Sequence, residues 1–478
     1  MLPTAASLAQ YWYSLLNPAC VSRSNSTNRW ISQAKTIGSY AMRDILVTAI
    51  ILGSIPFILR QAWIGVLMWT WVGMMSPHRL TWGFAYNQPF AMIIGLVTIV
   101  ALLFSREPKR FPLMPATVVL LLFSIWMTVT TIFALYPDEA WREWYKVMTI
   151  QFFVVITFML MQNPQRIRWL IWVTTVSLAF YGVKGGIYTL RGGGSGMVLG
   201  PEGSFIAGNT EIALAITMTI PLMYYLAITS EKKWLKWGLG IGMVLCAIAV
   251  LGSQSRGGLL AVAGMGVFLW LKSKKKLQMG LMFILLVPAL LAIMPETWFD
   301  KMHTISAYEE DTSALGRINA WHFSFNLAKS RPILGGGFNS FSPELFQILA
   351  PDPDDVHDSH SIWFEVLGHH GFVGLALFLV LWILVWRLAV GIIRTGSKRK
   401  EMRWATELAR MIQVSFVGYW VGGSFLGLSY FDLPYLLIAL LVLTRVVVDR
   451  QLAKETQQAG PSKANIARIR AVGTIETT

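Results

Sequence analysis

Hydrophobic residues along this chain gather into long runs, and polar residues gather into short bursts between them. Apolar runs fall near residues 44–60, 62–76, 89–105, 112–135, 144–162, 168–190, 209–229, 235–252, 257–271, 277–295, 362–393, 404–427 and 432–448. A helix needs about 20 mostly apolar residues to cross the hydrocarbon core of a bilayer. The first two runs are short and divided only by Arg60 and Gln61, so they form a tight hairpin or one span plus a half-inserted piece. The count is therefore 12 or 13. Backbone polar groups in lipid must be paired, which leaves helices or a closed barrel. No apolar-out, polar-in alternation supports a barrel. The pattern predicts an all-α fold, a polytopic membrane helical bundle with 12–13 transmembrane helices.

The polar bursts add direction. The basic ones are Arg106/Lys109/Arg110, Arg166/Arg168, Lys232/Lys233/Lys236, Lys272/Lys274/Lys275/Lys276 and Arg394/Lys398/Arg399/Lys400/Arg403. Each lies an even number of spans from the next, so all face one side, which the positive-inside tendency makes the cytoplasm. The loops near 77–88, 136–142, 191–208, 253–256, 296–361 and 428–432 then lie outside. Thirteen spans with a cytoplasmic C-terminus put the N-terminus outside, and twelve put it inside. Residues 1–41 hold Arg23, Arg29 and Lys35 in a Ser/Asn-rich stretch that is not a good cleavable signal peptide. Membrane-like sequence begins at Met42-Arg43-Asp44, so Met42 is expected to be the native start. Four regions follow: an extension at 1–41, a membrane region at 42–200, a second membrane domain at 201–448 that includes loop 296–361, and a polar, poorly ordered cytoplasmic tail at 449–478.

Composition excludes the soluble alternatives. Hydrophobic residues make up 55% and charged residues only 14%, against roughly 25% charged in an ordinary soluble domain. The two cysteines, Cys20 and Cys246, cannot make a disulfide framework. In a membrane protein the net charge of +15 points to anionic lipid rather than nucleic acid. That charge is unevenly placed. Loop 296–361 holds ten acidic and four basic residues, a net of −6, whereas the rest of the chain carries +21. Within the loop, residues 314–329 read as an amphipathic helix with Ile318, Trp321, Phe325 and Ala328 on one face. Pro332 and Gly335-Gly336-Gly337 then make a turn. Such a loop is expected to pack over the bundle as a lid.

Candidate chemistry concentrates on the outer side. Ser255-Arg256-Gly257-Gly258 places a guanidinium at a span end, beside glycines that let backbone N–H groups approach an anion. A guanidinium can hold a diphosphate as a fork, or it can anchor to lipid phosphate. Arg317 follows Gly316 at the start of the loop helix, where a partnership with Glu309–Asp311 is the alternative. His360, at the elbow before the next span, has the titration range of a general base. A metal site built from His357, Asp358, His360, His369 and His370 is the rival, although zinc spacing such as HExxH is absent. Helix capping by Asp358 or Ser359 is the bland reading. Lys184, Glu211 and Asp432 lie within or at the ends of spans, where ionisable groups are functional candidates. Asp432 also fits a helix N-cap, with Pro434 just inside. The Gly-rich loop 191–208 is expected to be mobile. No P-loop, Rossmann fingerprint or nucleophile elbow occurs, so nothing supports a cytoplasmic nucleotide site.

The order of these pieces resembles the O-antigen ligase superfamily of bacterial membrane glycosyltransferases. The resemblance is carried by Ser255-Arg256-Gly257, by Gly316-Arg317 with Trp321, by Pro332 with Gly335-Gly336-Gly337 and Phe341, and by His360-Ser361 with Glu365, Gly371 and Gly374. It covers about residues 200–430. The front half is similar to one branch, the O-glycosylation ligases associated with exosortase A. The matching residues there are Met42-Arg43-Asp44, Ser76-Pro77-His78-Arg79-Leu80-Thr81-Trp82-Gly83-Phe84-Ala85 and Phe180-Tyr181-Gly182-Val183-Lys184-Gly185-Gly186. Ser361 stands where the commonest ligase pattern has Asn, and His369 where an acidic residue is common.

The resemblance implies a GT-C-like fold with one large periplasmic loop, in the bacterial inner membrane, with the active site facing the periplasm. It implies a glycan donor on undecaprenyl diphosphate and a hydroxyl acceptor on a protein, lipid A core or another glycan. Arg256 and Arg317 would grip the diphosphate and His360 would serve the acceptor. Lys184, Arg191, Glu365 and His78 are expected to bind substrate. No metal and no cofactor are expected, and membrane lipid is the remaining partner. A polymerase of the same superfamily shares donor and arginines. A polysaccharide or lipid transporter is the reading from another class, because broken Gly-rich helices fit that as well.

Overall fold

The computed structural model describes residues 26–458 apart from 274, 293, 297 and 300–311, and the backbone alone for residues 26–41, 279, 282, 286, 287, 289, 290, 312, 313 and 458. The helices are α1 (Ser26–Arg60), α2 (Ala62–Met75), α3 (Phe90–Phe104), α4 (Pro115–Ile132), α5 (Pro137–Leu160), α6 (Pro164–Arg191), α7 (Asn209–Thr229) and α8 (Lys233–Gly252). They continue as α9 (Arg256–Lys272), α10 (Lys276–Leu291), α11 (Thr312–Ser330), α12 (Pro343–Leu349), α13 (Ile362–Gly396), α14 (Arg403–Gly423) and α15 (Asp432–Gln458). Each apolar run of the sequence coincides with one helix, and no strand occurs among the described residues. Among the described residues seven helices are long and apolar enough to cross a membrane, whereas α2 and α3 are shorter apolar helices. The protein is a polytopic helical membrane protein.

Gln61, with φ −142° and ψ 94°, separates α1 from α2, so the first two runs are distinct helices. Arg60 lines a crevice with Arg106 and Glu107, which puts the α1–α2 junction at the same end as the α3–α4 connection. Contacts gather other basic bursts there too. Arg166 donates to both oxygens of Glu107 at 2.6 and 2.9 Å. Arg450 bonds the Gln162 carbonyl, and Arg399 pairs with Glu455 at 3.3 Å. At the opposite end Asn209 Nδ2 donates to the Ser253 carbonyl at 2.9 Å. The turns carrying Lys232 and Lys272 therefore fall at the basic end. At that opposite end, the Ala85 N–H also donates to Asp44 Oδ1 at 2.8 Å. α1 thus enters from the far end.

Packing follows small residues and central burial. On α6, a Cβ at Gly186 would lie 2.2 Å from the Leu245 carbonyl oxygen, and one at Gly182 would lie 2.3 Å from Cys246 Sγ. These glycines let α6 and α8 approach closely, as small residues do between membrane helices. α15 packs against α2, α5, α6, α13 and α14. Its residues Leu437, Ile438, Ala439, Leu440, Leu441, Val442 and Leu443 are fully buried. A helix apolar on every side suits that central place. It also runs on through Arg445 and Asp449 to Gln458, so the first part of the expected disordered tail is helical; residues 459–478 lie outside the described part.

Residues 312–361, the described C-terminal part of loop 296–361, form a small folded cap. Its core is Ala320, Phe323, Leu327 and Phe346, packed against Phe341 and Leu345. The buried stripe on α11 runs through Gly316, Asn319, Ala320, Phe323 and Leu327. This corrects the expected face in part: Ala328 is fully buried, Ile318 and Trp321 are half-buried, and Phe325 is 44% exposed. Reading hydrophobicity alone misses the register, because small Gly316 and hydrogen-bonded Asn319 occupy buried positions.

The cap is joined to the bundle at a break in α13. Gly371 has φ 66° and ψ −169° inside that helix. This region is open essentially to glycine alone. The break frees carbonyls, and the glycine turn takes them. Gly336 N–H donates to the Gly368 carbonyl and Gly337 N–H to the His369 carbonyl, each at 2.8 Å. Phe372 N–H donates back to the Pro332 carbonyl at 2.9 Å. A Cβ at Gly335 would meet Gly371 N at 2.6 Å. These motif residues thus build the joint between cap and bundle.

Candidate functional site

The elbow before α13 is held from the cap. Asn319 Nδ2 donates to the Asp352 and Asp355 carbonyls at 2.7 and 2.9 Å, and its Oδ1 accepts from Asp352 N–H at 2.9 Å. A Cβ at Gly316 would lie 2.6 Å from His357 Cδ2, so only glycine lets the strap of residues 352–359 lie this close to α11. Trp321 Nε1 donates to the Ser359 carbonyl at 2.8 Å, and its ring stacks on Phe364 with centroids 5.1 Å apart. Between these two fixed points His360 adopts φ 41°. A left-handed histidine is uncommon and costs energy that surrounding contacts must offset.

Arg256, Arg317, Glu211 and His360 converge beside this elbow. The Asn209 bond to the Ser253 carbonyl sets the first turn of α7, which carries Glu211, against the entry to α9. A Cβ at Gly257 would touch Thr210 at 3.6 Å and Phe425 at 3.8 Å. Phe425 in turn lies 6.2 Å from the Trp321 ring, so α9 and α11 meet the same side chain. Burial lowers the pKa of Arg317, the positive charge of Arg256 lowers it further, and Glu211 opposes both. Burial likewise lowers the His360 pKa, Arg317 adds to the effect, and Asp358 and Glu211 counter it. Two polar atoms in this region are buried without partners among the described residues: Arg317 Nε and Ser361 Oγ. Unpaired buried donors are costly, and an anionic or hydroxylic ligand would satisfy them.

The structure reassigns some sequence signals. Ser255 is the N-cap of α9, its hydroxyl accepting from Gly258 N–H at 2.9 Å. The N–H expected to face an anion is therefore used inside the chain at that residue. A Cβ at Gly258 would lie 2.7 Å from Ala213 Cβ, so this glycine lets α9 and α7 pack. Ser361 stands at the N-cap of α13 without a side-chain cap bond, which replaces the expected capping by Asp358 or Ser359. Asp432 opens α15 with Oδ1 buried and unbonded, so that oxygen caps nothing. The loop 191–208 is pinned rather than loose. Val198 N–H donates to the Gly252 carbonyl at 3.1 Å, and Tyr86 Oη donates to Glu202 at 2.8 Å.

The four expected substrate-binding residues fall on three elements: α6, the turn Pro77–Leu80 and α13. Lys184 is exposed on α6, on the face away from Gly182, Gly185 and Gly186. Arg191 is exposed at the end of the same helix. His78 sits in the 3-10 turn Pro77–Leu80; burial and then Arg79 push its pKa down to about 4. Its Nδ1 is buried without a partner. The Glu365 carboxylate is engaged by Ser429, whose Oγ and N–H approach it at 2.6 and 3.2 Å. His369 Nδ1 lies 3.1 Å from Tyr430 Oη, and His370 Nδ1 lies 2.7 Å from Thr130 Oγ1. Among the described residues no three His, Cys, Asp or Glu side chains are grouped to hold a metal. The partnership of Arg317 with Glu309–Asp311 lies outside the described residues.

Glu211 is the residue that sequence reasoning undervalued. It stood out as an ionisable group at a span end, but nothing local tied it to residues over a hundred positions away. Trp321 was visible as part of a motif, and its hold on Ser359 was not.

Comparison with known families finds two matching regions. Residues 42–231 match a family of unknown function (DUF5935), and residues 241–379 match the family described as O-antigen ligase. No curated protein matches the chain. Arg256, Arg317 and His360 fall in the second match and Glu211 in the first. At residues 241–379 the chain carries an O-antigen ligase family domain, which supports the O-antigen ligase superfamily.

Proposed function

We propose that this protein transfers a glycan from a lipid diphosphate to a hydroxyl acceptor at the end of the bundle opposite its basic loops. The family supports a membrane ligase or polymerase type of glycosyl transfer. The observation that carries the finer reading is the convergence of two arginines and a histidine at one strained elbow. The positive-inside tendency supports assigning that end to the periplasm, and the resemblance to O-antigen ligases favours undecaprenyl diphosphate in the inner membrane as the donor lipid.

In this reading Arg256 and Arg317 bind the diphosphate. Fixed guanidiniums aimed at the leaving group stabilise the charge that develops on it. The anomeric carbon–oxygen bond to the diphosphate breaks as the acceptor oxygen bonds to that carbon, which inverts its configuration. The acceptor proton passes to His360. Burial and Arg317 favour its neutral form, the form able to accept that proton. The likeness of the front half to O-glycosylation ligases associated with exosortase A favours a protein hydroxyl as acceptor; lipid A core and glycan acceptors are the other arms of the test.

The test uses purified protein and a lipid-diphosphate-linked oligosaccharide, with protein, lipid A core and glycan acceptors supplied separately. Arg256→Ala and Arg317→Ala should each lower transfer by about 100-fold, the scale of losing one oxyanion contact. The Lys variants should recover only part, because a point charge cannot reproduce the fork. Chelator should leave transfer intact. Full activity in the Lys variants would refute the forked grip. Loss in chelator restored by magnesium would refute the metal-free mechanism. Transfer to the glycan acceptor alone would make the protein a polymerase.

A further inference from the structure

A second site lies at the basic end, far from the elbow. A crevice of about 630 Å³ opens between the α1–α2 junction and the end of α3, lined by Leu59, Arg60, Ala62, Phe104, Arg106 and Glu107 among others. That volume is within the range of small-molecule sites, roughly 300–1,000 Å³.

Its charge is not balanced within the protein. Glu107 is held at both oxygens by Arg166, at 2.6 and 2.9 Å, and Arg166 lies 5.3 Å from the Trp63 ring centre on its other side. The one carboxylate in the wall is therefore neutralised by a residue outside the crevice. Arg60 and Arg106 have no ion-pair or hydrogen-bond partner among the described residues, and both are exposed. Glu107 N–H donates to Ser105 Oγ at 3.1 Å, leaving the Ser105 O–H available to donate outward.

The walls below the arginines are apolar and continue onto the outer surface. Phe104 is 84% exposed, Leu103 68% and Leu59 52%. Two unpaired guanidiniums above such a surface match one kind of ligand, an anionic head on a hydrocarbon tail. Guanidiniums pair phosphate oxygens as a fork, and basic pockets between membrane helices suit anionic lipid heads. We infer that this crevice binds the phosphate of an anionic phospholipid between Arg60 and Arg106, with an acyl chain lying along Leu59 and Phe104.

The inference stands apart from the transfer reaction and is tested apart from it. Full-length protein, stripped of lipid in a neutral detergent, is titrated with dioleoylphosphatidylglycerol or dioleoylphosphatidylcholine and followed by native mass spectrometry. Phosphatidylglycerol should be retained at least about tenfold more tightly than phosphatidylcholine, because two basic residues face its anionic head. The Arg60→Ala/Arg106→Ala double variant should lose that preference. Each single variant should lose part of it, which keeps the test open if the double variant fails to fold. Lys232→Ala/Lys233→Ala, at the same end, should keep it. Equal retention of the two lipids, or retention unchanged in the single variants, would overturn the site. So would displacement of phosphatidylglycerol by millimolar inorganic phosphate alone, which would mark a free-anion site.

Discussion

His360 concentrates what a single residue contributes here. Its φ of 41° is imposed by neighbours on both sides, and its surroundings lower its pKa through burial first and Arg317 second. A lowered pKa keeps the imidazole neutral at pH values where an ordinary histidine starts to charge. If it accepts the acceptor proton, activity is present above that pKa and lost as pH falls through it. The acid limb of the rate profile should therefore lie below the ordinary histidine range, near 6.5. Asp358 raises this pKa. Asp358→Asn should move the limb further down, and an upward shift would contradict the electrostatic account.

At the level of elements, two devices make the elbow. The first is the grip of α11 on the strap 352–359 through Gly316, Asn319 and Trp321. Trp321 is a positioning residue. Trp321→Phe keeps a ring against Phe364 but removes the donor to the Ser359 carbonyl, a bond worth about 1 kcal/mol. We expect kcat to fall about tenfold with donor KM little changed, and the acid limb to move toward an ordinary histidine as the elbow loosens. An unchanged kcat and pH profile would show that the elbow holds without it. The second device is the break at Gly371. Gly371→Ala would place a Cβ 2.6 Å from the Ile333 carbonyl oxygen in a backbone region closed to alanine. It should destabilise the protein by at least about 2 kcal/mol, read as a lower melting temperature in detergent. An unchanged melting temperature would mean that the cap is not anchored there. Apolar runs announced the helices themselves with their ends nearly in place. The expected faces of the cap helix were less legible, because Asn319 is buried by hydrogen bonds that only the returning strap supplies.

Across the whole molecule, charge and helix alternation agree. Contacts such as Arg166 with Glu107 and Arg399 with Glu455 gather basic bursts at one end, and the elbow lies at the other. Cysteines introduced at Lys109 and Lys398 should be protected from an impermeant thiol reagent added outside intact cells, and one introduced at Asn87 should react. Labelling of all three would refute the orientation. By itself the sequence determined the class, the helices and the polarity, because these depend on apolar length and on charge within each loop. It also exposed Arg256, Arg317 and His360, since charged residues at the ends of apolar runs stand out locally. The tertiary structure decided which of them meet. It added Glu211 across more than a hundred residues from Arg317, turned Glu365 toward Ser429, and left Lys184 and Arg191 on the exposed surface of α6. Those outcomes depend on close approach between distant segments, through glycines and paired backbone groups, and no local pattern of residues encodes that.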